Sequence, residues 1–220
     1  MNKYMGIVPT LDEDDDDDFP EVEPVEEPGE EPATEKEKNS GPGSMEDRLL
    51  KHRTILIYGQ IDMNLAMEVT KRLLVMDAES QEEIRIFINS PGGHVESGDT
   101  IYDMIRFVKS TVKVIGTGWV ASAGALIYAA ADVENRYSLP NTRFLLHQPA
   151  GGATGQASDI AIEAQEIIKM RRRLNEIFAR QTGQTIERVE EDTDRNFWMS
   201  AAQAKDYGLV GRIIESIDEL

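Results

Sequence analysis

Three β-branched, apolar runs, Thr54–Tyr58, Ile84–Ile88 and Val112–Ile115, are each followed by a stretch with the apolar spacing of a helix. Those stretches are Met63–Glu79, Glu96–Lys109 and Ser122–Ala131; in the first, Leu65, Val69, Leu73 and Val75-Met76 fall on one helical face. A strand-then-helix rhythm leaves few folds open. Parallel strands cannot be joined by tight turns, so each helix is a crossover packed on a face of a parallel sheet. The chain is therefore expected to be α/β. Short strands are predicted over Arg136–Leu139 and Thr142–Leu146, a short helix over Ser200–Tyr207, and a closing strand over Leu209–Ile217. Between them Ala157–Gln181 reads as one helix of about 25 residues, roughly 37 Å long. That exceeds what a domain of this size covers with its own core. Part of the helix is expected to pack on another subunit, which predicts an oligomer.

Charge divides the chain in two. Its net charge is -18, yet residues 1–44 alone hold 15 acidic side chains and 3 lysines. They include the unbroken run Asp14 to Asp18, then Pro20, Pro24, Pro28 and Pro32 spaced among glutamates. Such a segment buries too little apolar surface to offset its ordering entropy, so 1–44 is expected to be a disordered acidic arm. As an arm it is a solubilising tail, a removable propeptide or an entropic brush at the mouth of an assembly. Gly41-Pro42-Gly43-Ser44 punctuates its end, and residues 45–220 form the expected folded domain. Neither part has the basic surplus that phosphate neutralisation requires, so no nucleic-acid partner is expected. The absence of cysteine removes disulfides, a thiol nucleophile and thiolate zinc sites. Three scattered histidines give no metal-ligand spacing, and no apolar run reaches the roughly 18 residues of a membrane span. With no signal-peptide pattern at the N-terminus, a cytoplasmic location is expected.

The chemistry concentrates in three places. Ser122 sits among small residues, Ala121, Ala123, Gly124 and Ala125, at a strand-to-helix junction. Small neighbours admit a close approach by another backbone or a substrate, and the first turn of a helix offers unpaired N–H groups to an oxyanion. His147 closes the second of the short strands and can supply the base that a serine hydroxyl needs. Asn89-Ser90-Pro91-Gly92-Gly93 follows the strand Ile84–Ile88 as a tight turn with exposed N–H groups. Taken together these predict a serine hydrolase.

The motifs I-N-S-P-G-G at Ile88–Gly93, G-x-x-A-S-A-G-A at Gly118–Ala125 and H-Q-P at His147–Pro149 resemble the ClpP family, the proteolytic subunits of the Clp protease. G-Q-A-S-D-I at Gly155–Ile160, the run Phe197–Val210 and Asp47-Arg48-Leu49-Leu50 extend the resemblance over about residues 46–217. It implies a crotonase-like fold of repeated ββα units, stacked heptameric rings, and a closed chamber in which unfolded polypeptide is cut. It also implies Ser122 as nucleophile, His147 as base, and the N–H groups of Gly93 and Ala123 as the oxyanion hole. The long helix would be the handle joining two rings, Asp194 and Arg195 an inter-ring ion pair, and Gly151–Gln156 a strand that receives substrate. No cofactor is implied in this chain; ATP would be used by a partner AAA+ unfoldase.

Two departures stand out. The family's catalytic aspartate corresponds to Asn196, which can accept the His147 Nδ1–H but cannot balance an imidazolium by charge. The axial loop that meets the ATPase has no convincing counterpart, Met5–Pro9 being a faint echo. A weakened peptidase is thus expected, and beside it stands a non-catalytic or weakly catalytic structural subunit assembled with an active paralogue. A crotonase-type acyl-CoA enzyme shares the fold and oxyanion hole, but needs neither the Ser–His pair nor the ring-joining helix.

Overall fold

The computed structural model describes residues 43–152 and 154–220. The expected acidic arm lies outside them except for Gly43 and Ser44. In chain order the regular elements are α1 (Met45–Lys51), β1 (Thr54–Ile61), α2 (Met63–Glu79), β2 (Ile84–Gly93), α3 (Val95–Phe107), β3 (Val112–Ala121) and α4 (Ala123–Tyr128). They continue with β4 (Arg136–Ser138), β5 (Arg143–Leu146), α5 (Ala157–Thr182), α6 (Ile186–Asp192), β6 (Phe197–Ser200), α7 (Ala201–Asp206) and β7 (Arg212–Ile213). Helix starts follow side-chain chemistry. Ser44, Asp62 and Thr185 each accept a backbone N–H from the turn they open, and Ser200 with Gln203 closes a capping box on α7.

The sheet runs β1-β2-β3-β4-β7, every neighbour parallel. β5 leaves this path, pairing parallel with β3 and antiparallel with β6. Because β1, β2 and β3 are laid down in spatial order, right-handed crossovers put α2, α3 and the following α4 on one side. Burial shows the result. Ile55 and Ile57 on β1 and Ile84, Ile86 and Ile88 on β2 are fully buried, whereas Leu56 and Tyr58 face outward. The helices thus cover one face rather than both. The other face carries only a small cluster, Ile115, Tyr137 and Ile214 with Phe87, Leu139 and Leu220.

Several predicted boundaries move. The closing strand expected over Leu209–Ile217 is only Arg212–Ile213, because its partner β4 is three residues long and offers no further ladder. The helix expected over Ser122–Ala131 is Ala123–Tyr128, since Ser122 is not helical. Among the described residues of 151–156 no strand forms. Gly151 and Gly152 supply no side chains to a pleated surface, and a Cβ on Gly151 would stand 3.0 Å from Ile167 Cδ1 of α5. Helix α6 was not foreseen from apolar spacing at all.

The long helix is observed as 26 residues and ends at Gly183 in the left-handed region. Its C-terminal part is fixed by Arg136, a fully buried side chain. Arg136 donates to the carbonyls of Ala131, Gln181 and Leu209 and to Gln181 Oε1, so one guanidinium ties α5 to β4 and the segment after α7. Burial pulls its pKa below the ordinary arginine value. Arg136→Met is expected to leave those carbonyls unsatisfied, a loss of about 2–3 kcal/mol, and to lower Tm by roughly 5–10 °C in differential scanning calorimetry. An unchanged Tm would show that this staple is redundant.

Candidate active site

Strand β3 delivers Ser122 to a sharp elbow. Its φ of 54° and ψ of -121° lie where a non-glycine residue is strained, and three backbone bonds hold it there. The Ser122 N–H donates to Leu145 O at 2.9 Å, while its carbonyl accepts from Ala125 and Leu126 at 2.9 and 3.1 Å. The small residues around it have measurable reasons. A Cβ on Gly92 would stand 2.6 Å from Ser122 Cβ and 2.9 Å from Ala121 O, and one on Gly98 would stand 3.1 Å from Ala123 Cβ. Glycine at those two positions lets the end of β2 and α3 close against the elbow. The tight turn expected over Asn89–Gly93 is instead strand, because β1 extends to Ile61 and keeps pairing through Gly93, with a register shift.

That strand end is itself braced. Ser90 Oγ donates to Gly59 O at 2.6 Å and accepts the Gly92 N–H at 3.0 Å. In the parallel ladder Ile61 pairs with Gly93, and the Ile61 carbonyl accepts from His94 N at 2.8 Å. Of the N–H groups flanking Gly93, that of His94 is thus spent on Ile61 O and that of Gly92 on Ser90 Oγ. Ala123 is the first residue of α4, so its N–H has no partner within the helix. Gly93 at the end of β2 and Ala123 at the start of α4 are the positions expected to offer N–H groups beside the serine.

His147 and Asn196 meet through the ladder between β5 and β6. These strands are antiparallel with Leu146 opposite Phe197, so the next pair outward is His147 with Asn196. Their side chains complete it: His147 Nδ1 lies 2.9 Å from Asn196 Oδ1. With the amide oxygen facing it, Nδ1 carries the proton and Nε2 keeps its lone pair. Ser122 and His147 line one pocket, with Val95, Ala123, Leu126, Pro149, Leu174 and Phe178 forming its apolar walls. No hydrogen bond joins the Ser122 hydroxyl to the imidazole in this state.

The segment carrying Asn196 is held from three directions. Gln148 donates its backbone N–H to Thr193 O and its side-chain amide to Asp194 O, both at 2.7 Å. Thr193 Oγ1 donates to Asn175 Oδ1 of α5 at 3.0 Å, and Arg171 of the same helix pairs with Asp194 at 3.1 Å. Before them, Asp192 accepts from Tyr207 Oη at 3.0 Å. Burial first, and then that carboxylate, raise the Tyr207 phenol above its ordinary pKa. Asn175 and Gln148 were not singled out from the sequence, although signals existed: Asn175 is a polar residue on the apolar face of the long helix, and Gln148 adjoins the histidine. Asp194 therefore turns inward to Arg171, while the Arg195 side chain is 93% exposed and 4.0 Å from Asp194.

Among the described residues no cluster of histidine, aspartate or glutamate could hold a metal ion, and no helix is long and apolar enough to cross a membrane.

The family model for Clp protease matches residues 38–217. ATP-dependent Clp protease proteolytic subunit 2 of Gluconobacter oxydans is 58% identical over 209 residues, 94% of this chain and 91% of the relative. Proteolytic subunit 3 of Rhizobium etli is 61% identical over 171 residues, 78% of this chain and 88% of its own. Among solved structures, an asparagine-to-aspartate mutant of ClpP1 from Listeria monocytogenes superposes with a TM-score of 0.74 at 58% identity, covering 78% of this chain and 96% of that one. Listeria ClpP1 itself gives 0.73 at 56% identity, covering 80% and 98%. With a braced serine elbow, His147 joined to Asn196 and this breadth of similarity, the chain belongs to the Clp protease family.

Proposed function

We propose that this chain is a serine endopeptidase subunit that cuts extended, unfolded polypeptide, with a reaction slowed by Asn196. The observation that carries it is the convergence of Ser122 and His147 on one pocket, with the His147 Nδ1–H committed to Asn196. In the reaction, Ser122 Oγ attacks the scissile carbonyl carbon as His147 Nε2 takes its proton. The carbonyl oxygen becomes an oxyanion facing the N–H groups of Gly93 and Ala123. His147 then returns the proton to the leaving amine, and water repeats the sequence to release the acyl group. Asn196 holds the ring and its tautomer throughout but supplies no counter-charge to the imidazolium. The chain needs no cofactor or metal of its own.

Assembly belongs to the same proposal. Ile160, Ile162 and Ile168 on the N-terminal half of α5 are 41, 60 and 58% exposed, apolar surface suited to burial against a second copy in rings of seven. An AAA+ ATPase that feeds unfolded chains into a cytoplasmic chamber fits the word ATP-dependent in the relatives' names. Arg195, projecting freely, is the residue to pair across rings. Arg195→Glu is expected to halve the assembly to single rings, read by sedimentation velocity at micromolar concentration, and a wild-type monomer there would sink the ring proposal.

One observation favours a second reading, a structural subunit working beside an active paralogue: a neutral amide stands where the imidazolium needs charge. The numbered subunits among the relatives are in keeping with mixed assemblies. Native mass spectrometry before and after fluorophosphonate treatment decides between the readings. An adduct on Ser122 supports the peptidase; assembled rings with no adduct support the structural subunit.

A further inference from the structure

Val95 lines the pocket beside Ser122, but its neighbours His94 and Glu96 do not. They border a second recess, a groove of about 330 Å³ between α2 and the start of α3. Its floor is apolar: Met63 and Met67 stand one turn apart on α2 beside Ala66, and the two methionines are 73 and 49% exposed. Polar groups are set into the walls. Ser97 is buried and its Oγ lies 2.9 Å from His94 Nδ1, while His94 Nε2 faces Glu96 Oε2 at 3.2 Å, so the imidazole is held at both nitrogens. Thr70 Oγ1 is buried and has no hydrogen-bond partner among the described residues. Buried hydroxyls are ordinarily paired, so this one is free to meet a polar group that enters the groove.

Two observations connect the groove to the reaction. β2 pairs with β1 as far as Gly93, whereas its ladder to β3 ends at Ser90 opposite Val120. The strand end Pro91–Gly93 thus keeps an edge without a ladder partner on the side of β3. An extended peptide added there as a strand sends alternate side chains to opposite sides, each on the side of the residue it faces. A side chain on the side of Val95 meets the Ser122 pocket, and that of the next residue, on the side of His94, meets the groove. His147, which returns a proton to the leaving amine, stands at the end of β5, across β3 from β2. The half of the substrate that reaches the groove is therefore the acyl half.

Resting on the peptidase reading above, we propose that this groove is a second substrate subsite. It takes an aromatic side chain with a polar handle, tyrosine or tryptophan, from the residue preceding the one at the Ser122 pocket. The space suffices, since an apolar cavity of about 150 Å³ already holds benzene. Thioether sulfurs pack favourably on ring edges, which suits a floor with two methionines. The tyrosine hydroxyl or the indole N–H supplies the partner that Thr70 Oγ1 lacks.

The test uses the assembled protein and peptidyl phosphonates, which carry only acyl-side residues and label an activated serine. The set varies the residue preceding the one that bears the phosphonate, as Tyr, Trp, Phe, Leu or Ala, and the rate of Ser122 labelling is read by intact mass. Tyr and Trp are expected to exceed Ala at least about tenfold, and Tyr to exceed Phe about 2- to 10-fold through the Thr70 contact. Met67→Gln, at an exposed helical position that accepts a polar side chain, should bring the Tyr-to-Ala ratio toward unity. Thr70→Val, which keeps the shape, should bring Tyr level with Phe. Labelling of Ser122 at a rate indifferent to the varied residue would overturn the subsite alone, as would ratios unchanged in both variants. A fall in assembly mass for Met67→Gln with the ratio intact would give the groove to another copy of the chain and overturn the substrate assignment. No labelling of Ser122 by any probe, a simple fluorophosphonate included, would overturn the peptidase reading and the subsite with it.

Discussion

Ser122→Ala is expected to lower turnover of a fluorogenic peptide by at least about 10⁴-fold while rings of unchanged mass persist. The size follows from the elbow. Ser122 carries the hydroxyl on the pocket that His147 also lines, and no other hydroxyl or amine lines that pocket, so nothing else is placed to attack there. The fold should tolerate the change because it removes one oxygen from a crowded place and adds none. The strained φ of 54° remains in both variants, so it does not enter the difference. Full turnover by Ser122→Ala would mean that the chemistry lies elsewhere in the chain or in another subunit.

Asn196→Asp should act in the opposite direction, raising kcat by roughly 10- to 10³-fold. In the serine-protease template the reverse change lowers kcat by about 10⁴, and a gain short of that is expected where ring alignment also limits the rate. The two side chains are nearly isosteric, and Asn196 Oδ1 is already 2.9 Å from His147 Nδ1, so a carboxylate oxygen inherits the contact and adds charge. Asp194, two residues earlier, is the rival third member, but its carboxylate is engaged by Arg171 at 3.1 Å. Comparing kcat/KM for Asn196→Asp and Asp194→Ala separates them. A fall with the first and abolition with the second, rings intact, would give the role to Asp194.

Much of this was legible in the residues, and the limits have physical causes. Strands β1 to β3 announce themselves as β-branched apolar runs, and helices α2 and α3 by period, because each helix has one buried face and one wet one. Ser122, His147 and the Gly92-Gly93 pair were legible as motifs, because small residues and a lone imidazole are unusual where they stand, but the pair ends a strand rather than making a turn. Strand β6 was not legible. Four residues long, with Phe197 and Trp198 only half buried, it has no alternation of its own and exists because β5 offers an edge. Its placement therefore decides Asn196, which a motif could name but spacing alone could not bring to His147. The same holds for α6, seven residues with a single buried side chain, Val189. The one-sided covering of the sheet was open to inference, since strands added in order can send right-handed crossovers only one way.

Strand β5 is only four residues long, yet everything chemical hangs on it. Its Leu145 carbonyl anchors the strained serine, its end presents the histidine, and its free edge recruits the asparagine's strand. Competence in this chain is consequently indivisible. A local opening that frees β5 disconnects all three residues at once, so a half-folded subunit is an inert one. On the peptidase reading proposed above, in which the chain could cut its own unfinished siblings, that is a form of safety written into connectivity rather than into any inhibitor.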